Sequence, residues 1–316
     1  MKTQQGSIFY EVKKHLGQFV IIIMILLLGA VFTFIEPEFV SPTNLKNIIR
    51  QAAVMIVLAS GSTYIMISGN IDVSVGSVAC LTSIVACFLM RDGMPMLYAL
   101  FIAVMLGAIL GAISGIIVAK FDIPPMIATL GVMNFSQGAA YLLTGGTAVY
   151  DMPSSFSFFG RGHVGVIPVQ VIVMILIVIA CHMLLARTKF GRYVYAIGGN
   201  ARVAELAGIN VKKVIVLTYV IGGICTTLAG IMMASRMGSG QPTMGVSWSM
   251  DNITAIVIGG TSIKGGSGSI TRSAMGVILL TMLTNGLNTI GLNTYYQMVA
   301  TAMILLVTVI LNTRNK

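Results

Sequence analysis

Apolar residues lie along this chain in long blocks, without the strict alternation of strands or the single stripe of a surface helix. Ten blocks stand out, at residues 19–35, 52–69, 73–90, 97–119, 124–144, 167–186, 214–235, 251–263, 271–289 and 295–312. A helix rising 1.5 Å per residue needs ~20 apolar residues to cross a ~30 Å hydrocarbon core. The pattern therefore predicts an all-α, polytopic transmembrane bundle. Two blocks fit the rule poorly. Residues 73–90 are rich in Ser and Thr, and 251–263 is too short to cross straight. Either is expected to be broken or re-entrant, shielded by its neighbours.

The first block follows Lys13 and Lys14, as a secretory leader would. No small-residue cleavage site precedes Glu36-Pro37-Glu38, and the block is long for a leader, so a retained first helix is expected. The whole chain, 1–316, reads as one membrane-spanning domain.

Composition agrees. Of 316 residues, 56% are hydrophobic and 9% charged. A soluble domain carries roughly 25% charged residues, so this chain has too few to cover a water-exposed surface. The net charge of +10 brings nucleic acid into question. With the N-terminus inside, ten crossings place 14 of the 19 Lys and Arg on the inner side and 5 outside. The acidic residues show no such bias. That is the positive-inside pattern, with both termini cytoplasmic, and it removes the need for a nucleic-acid partner. Cys80, Cys87, Cys181 and Cys225 sit in apolar blocks without a CxxC, and His15, His163 and His182 are scattered. They read as buried thiols and isolated imidazoles, with no metal site.

The most basic inner loop is 187–213. Within it Asn200 suits an N-cap, Ala201 to Ala207 are mostly good helix formers, and Gly208 suits the C′ position. A helix of about two turns is predicted, with Ala201, Ala204 and Gly208 on one face and Arg202, Glu205 and Ile209 on the other. Such a helix either seats in a partner's cleft or simply connects two spans. The longest outer loop, 145–165, holds Pro153, Phe156, Phe158 and Phe159 and is expected to fold as an amphipathic excursion.

Polar groups at membrane depth are costly and point to function. Asp72, next to Ser74, opens the third block, and Asp251 with Asn252 opens the eighth. They either cap their helices against the positive dipole end or order a gate. Further mid-span polar positions are Thr63, Asn134, Gln137, Thr284, Asn285, Asn288 and Gln297. Asn134 with Gln137, and Asn285 with Asn288, are three apart and share a helix face. They either line a path for a neutral hydroxylated solute or bond helix to helix. Trp248 reads as an interface anchor or an outer protein contact.

Four stretches carry a specific resemblance: SGNIDVSVGSV at 68–78, GRYVYAIGGNARVAELAGINV at 191–211, QPTMGVSWSMDNITAIVIGGTSIKGGSGS at 241–269 and NGLNTIGLNTYYQM at 285–298. In order and spacing they resemble the ribose/monosaccharide branch of ATP-binding-cassette importer permeases, over essentially the whole chain. Asn70 departs from the family pattern, which usually runs from Gly directly to Ile. Met250 departs where an acidic or polar residue is common before Asp251. The resemblance implies that 191–208 couples to a cytoplasmic ATPase, through Gly191, Arg192, Gly198, Asn200, Ala204, Glu205 and Gly208. It also implies a second permease copy, an ATPase dimer and an extracytoplasmic sugar-binding protein as partners, in a bacterial cytoplasmic membrane. The sequence has no GxxxxGK[ST] loop, and Lys264 in the glycine-rich 260–269 is not so placed. ATP and Mg are therefore expected on the partner ATPase, with no cofactor and no catalytic residue here. A stand-alone carrier needs a titrating or ion-binding group that these spans lack, and a membrane enzyme needs a catalytic cluster that is absent.

Overall fold

A computed structural model describes residues 21–293, 295–300, 302 and 303. The start of the first block and most of the last, with Lys2, Lys13, Lys14, His15, Arg314 and Lys316, lie outside the described residues.

The chain folds as α1 (Ile21–Ile35), a short 3-10 turn (Pro37–Val40), α2 (Pro42–Ile67), α3 (Val75–Arg91), α4 (Met96–Phe121) and α5 (Pro125–Thr144). There follow α6 (Ser154–Arg161), a hairpin of β1 (His163–Val164) and β2 (Ile167–Pro168), α7 (Val169–Arg187), α8 (Lys189–Gly199) and α9 (Ala201–Leu206). The bundle closes with α10 (Val211–Met237), α11 (Trp248–Ile258), α12 (Ile270–Thr289) and a helical segment at 295–300. The all-α expectation holds, with a tiny antiparallel ladder in the long outer loop, where α6 supplies the expected excursion. Among the described residues five helices, α2, α4, α7, α10 and α12, are long and apolar enough to cross a membrane.

The second block begins ten residues earlier than its apolar run. Pro42 occupies the first turn and Ser41 caps it, its hydroxyl accepting the Asn44 N–H at 3.2 Å. The mixed residues 43–51 thus add two and a half turns to α2. The eighth block is shorter than expected. The 11 residues of α11 span about 16 Å, roughly half the hydrocarbon core. Residues 259–269 after it run through tight turns at Gly260, Gly265 and Gly266, all with positive φ. Burial supports the re-entrant reading. Ala255, Ile256 and Val257 are almost fully covered by α2 and α12.

At the centre, α10 packs on α4 through glycines. A Cβ on Gly111 or Gly223 would collide with the backbone of Tyr219 or Gly107. In a membrane such close approach supplies the dispersion contacts that the hydrophobic effect cannot. Outward, Leu97, Phe101, Met105 and Ile109 of α4 and Ile175, Leu176, Ile179 and Met183 of α7 are exposed. Those faces suit lipid.

Candidate coupling loop and polar cleft

The α7–α8 corner turns on one residue. The Thr188 hydroxyl accepts the Gly191 N–H at 3.2 Å and donates to the Leu184 carbonyl at 2.6 Å. A Cβ at Gly191 would run into the Leu185 carbonyl, so the corner admits only glycine there. The helix buries Gly191, Val194 and Ile197 in one stripe and leaves Arg192 exposed. That stripe meets Tyr64, Ile67 and Leu185, and the Phe190 ring stacks on Tyr64 with centroids 6.1 Å apart.

Beyond this stripe, α8 is locked to the end of α2 and to the loop before α12. Gly198 lies so close to the Ile67 carbonyl and the Gly266 nitrogen that no Cβ fits. The Gly266 N–H donates to that same Ile67 carbonyl at 2.9 Å. The Tyr195 hydroxyl donates to the Gly268 carbonyl at 2.8 Å. Burial pushes the Tyr195 phenol above its ordinary pKa, the nearby Arg272 charge opposing this, so the hydroxyl stays a donor.

Asn200 ends α8 and starts α9. Its N–H donates to the Ala196 carbonyl, and its Oδ1 accepts the Val203 N–H, both at 3.0 Å. Gly208, at φ +81, closes the short helix: its own N–H reaches the Glu205 carbonyl and the Ile209 N–H reaches Ala204. This is a Schellman closure, as the sequence predicts. Ala204 is buried, while Arg202 and Glu205 pair at 3.0 Å in the open. Ile209 is corrected from the outer face to the inner, because the closure folds it back onto the α7–α10 core. The exposed apolar residues of α9 are instead Val203 and Leu206, at 59% and 77%. The sequence reading missed both, and the signal was their spacing of three next to Arg202 and Glu205.

The polar mid-span residues do not form one group. Asp72 precedes α3 by three residues, and one oxygen accepts both the Ser74 N–H and its hydroxyl. Asp72 thus builds the turn before α3 without capping it. Asn252 is fully buried and donates to the Ser62 hydroxyl at 2.8 Å. Asn44 and Asn285 exchange two amide hydrogen bonds, at 2.9 and 3.0 Å, and join α2 to α12. Asn252, Asn44 and Asn285 act as bonds between helices. Gln137 holds the Pro242 carbonyl at 2.7 Å, whereas Asn134 is exposed. The two do share a helix face, but that face flanks the inner stripe of Val132, Ser136 and Ala140. Gln137, nearer the stripe, is held by the 241–242 segment, and Asn134, farther round, is left out.

Five of the named residues do come together. Asp251, Thr284, Asn288, Gln297 and Trp248 line a cleft of 230 Å³ with Gln51 and Arg236. Asp251 is the fourth residue of α11, not its cap. The Gln297 amide donates to the Asn288 carbonyl oxygen at 2.6 Å, so Asn285 and Asn288 serve different partners. Trp248 packs against the start of α3 beside Gly76 and shows part of its ring to the cleft. Arg236 was invisible as a cleft residue from sequence, standing at the end of a long apolar run.

Among the described residues no group of three or more His, Cys, Asp or Glu is placed to hold a metal.

Residues 44–308 match the family model described as branched-chain amino acid transport system / permease component. The ribose import permease of Haemophilus influenzae is 37% identical, over 94% of this chain and 94% of its own. That of Bacillus subtilis is 35% identical over 100% of this chain and 98% of its own. The D-allose transport system permease of Escherichia coli is 33% identical over 94% of this chain. No solved structure matches the chain. The family model's description names amino acids, whereas these full-length relatives are named for sugars; full-length identity places the chain more finely than a family-wide description. The chain belongs to this family of transport-system permease components, in the branch that holds the ribose import permeases.

Proposed function

We propose that this chain is the membrane permease of an importer that moves a monosaccharide, ribose first among them, and draws its power from a separate ATPase chain. The observation that carries this reading is the α8–α9 unit: a capped helix pair exposing Val203 and Leu206, welded through Gly198 and Tyr195 to the ends of α2 and α12. A push received at α9 is delivered directly to helices of the bundle. Residues 187–213 form the coupling loop, with Gly191 and Gly198 allowing close packing, Asn200 and Gly208 shaping α9, Ala204 anchoring it, and Arg192 and Glu205 facing the partner. ATP and Mg act on that partner, and this chain binds no cofactor.

The protein is a multi-pass protein of the cytoplasmic membrane. In the proposed orientation the α8–α9 end is cytoplasmic and both termini lie on that side. Of the described basic residues, nine sit at this end and five at the other, which supports the assignment. Residues 1–316 act as one permease domain.

The second copy packs on α5. Its exposed face carries Asn134 between Gly131 and Gly138, both in open space. Unlike the lipid-suited faces of α4 and α7, it combines a polar group with small residues that favour close helix approach. The sugar passes between the copies. Asp72, Ser74 and Asn252 hold the broken segments around that route, and Gln137 and Asn285 brace it. The sugar-binding protein docks at the far end, over α6 and the hairpin.

The test is the purified chain alone. It should show no ATP turnover above background, and it should stimulate its partner ATPase when the two are combined. ATP turnover by this chain alone would overturn the reading.

A further inference from the structure

We infer that the cleft at the far end of each copy is a monosaccharide-holding site, separate from the route between copies. This rests on the sugar-permease reading above. The cleft sits among the outer halves of α2, α10 and α12 and the start of α11, the side on which a sugar arrives in the proposed orientation. Its 230 Å³ lies below the ~300–1,000 Å³ of sites for drug-sized ligands. The space suits a solute of one small ring.

The unspent hydrogen-bonding groups point to a polyol. Among the described residues the Arg236 guanidinium has no carboxylate partner and the exposed Gln51 amide has no hydrogen-bond partner. Asn288 has given its carbonyl oxygen to Gln297, which leaves its N–H₂ to donate and the Gln297 oxygen to accept. The Thr284 hydroxyl donates to the backbone of its own helix and keeps lone pairs for an incoming hydroxyl. The Asp251 carboxylate, beside the Ser247 side chain, keeps lone pairs for an incoming hydroxyl. Sugar hydroxyls both donate and accept, so they satisfy such a mixed set. A purely anionic ligand leaves the acceptors unmet. Arg236 and Asp251 bring opposite charges to the cleft, and Arg50, bonded to His163, lies near enough for its charge to act on Arg236, so the acceptors and not the net charge favour a sugar over an anion. The Trp248 ring supplies the apolar face that a sugar's C–H side needs.

Trp248 is the sole tryptophan of the chain, so its fluorescence reports this cleft alone. The full chain in lipid vesicles is titrated with D-ribose, and with D-ribose 5-phosphate for comparison. The expected result is a saturable change with millimolar half-saturation, weak enough for release. Pairing Thr284→Val with Asn288→Ala should weaken it about tenfold or more, and Leu97→Ala, on the exposed face of α4 away from the cleft, should leave it unchanged. The same vesicles are then loaded with the ATPase and binding protein and assayed for uptake. Uptake without a saturable fluorescence change, or an equal response to the phosphorylated sugar, would overturn the holding site alone. Saturable sugar binding without ATP-dependent uptake would keep the site and overturn the permease reading.

Discussion

The Tyr195 hydroxyl reaches the Gly268 carbonyl at 2.8 Å, joining a helix of the coupling loop to the turn that launches α12. Tyr195→Phe keeps the ring's packing and removes this one bond. A hydrogen bond of this kind is worth about 1 kcal/mol net, so the fold should survive. Sugar imported per ATP hydrolysed should fall several-fold, while expression and thermal midpoint stay near those of the parent. Unchanged coupling would mean that this bond transmits nothing.

Gly198 is the second part of the same joint. Gly198→Ala places a methyl against the Ile67 carbonyl and the Gly266 nitrogen. Overpacking of this kind costs about 1–3 kcal/mol. The thermal midpoint should drop, and limited proteolysis should cut first near 187–213. Gly199→Ala, one residue along with open space around it, is the control and should be close to neutral.

On α9, Leu206→Asp changes an exposed residue without touching the core. Glu205→Lys reverses a charge and breaks the pair with Arg202. Gly208→Trp adds bulk and also strains a left-handed position, at about 1–2 kcal/mol, so it is the least selective of the three. All three should insert normally and lose most ATPase stimulation, measured by phosphate release with the partner added.

Asn44 and Asn285 test the quieter reading of polar residues in spans. A double-mutant cycle with Ala at both sites should give a coupling of ~0.6 kcal/mol by thermal unfolding in detergent, with transport nearly intact. A large loss of uptake without loss of stability would instead place Asn285 on the sugar's route.

The fold class was legible because bilayer length and hydrophobicity act on whole blocks. The α9 helix was legible to its caps, since Asn200 and Gly208 are local signals. Other features depended on partners far away in sequence. The mixed residues 43–51 gave little hint that α2 starts at Pro42, because, of their three apolar side chains, only Ile48 packs inward, against Phe32 and Phe39. Asn134 and Gln137 share spacing, yet only packing with the 241–242 segment shows that one is held inside and the other left out. Arg236, Trp248 and Gln297 meet in a cleft through three separate helices, which no local pattern encodes.

At the interface of copies, Asn134→Cys lies on the uncovered face of α5. Oxidation in membranes should give a disulfide-linked dimer, read on a non-reducing gel, whereas cysteine at Ile179 on the outer face of α7 should not. The four native cysteines are buried and should contribute little background.

The most direct measurement is radiolabelled ribose uptake into vesicles holding this chain, with ATPase and binding protein supplied separately or together. Accumulation should appear only with all three chains and ATP on the side of α8 and α9, and should be lost in Leu206→Asp. Ribose equilibration by this chain alone at the same rate would contradict the account and leave a facilitator in its place.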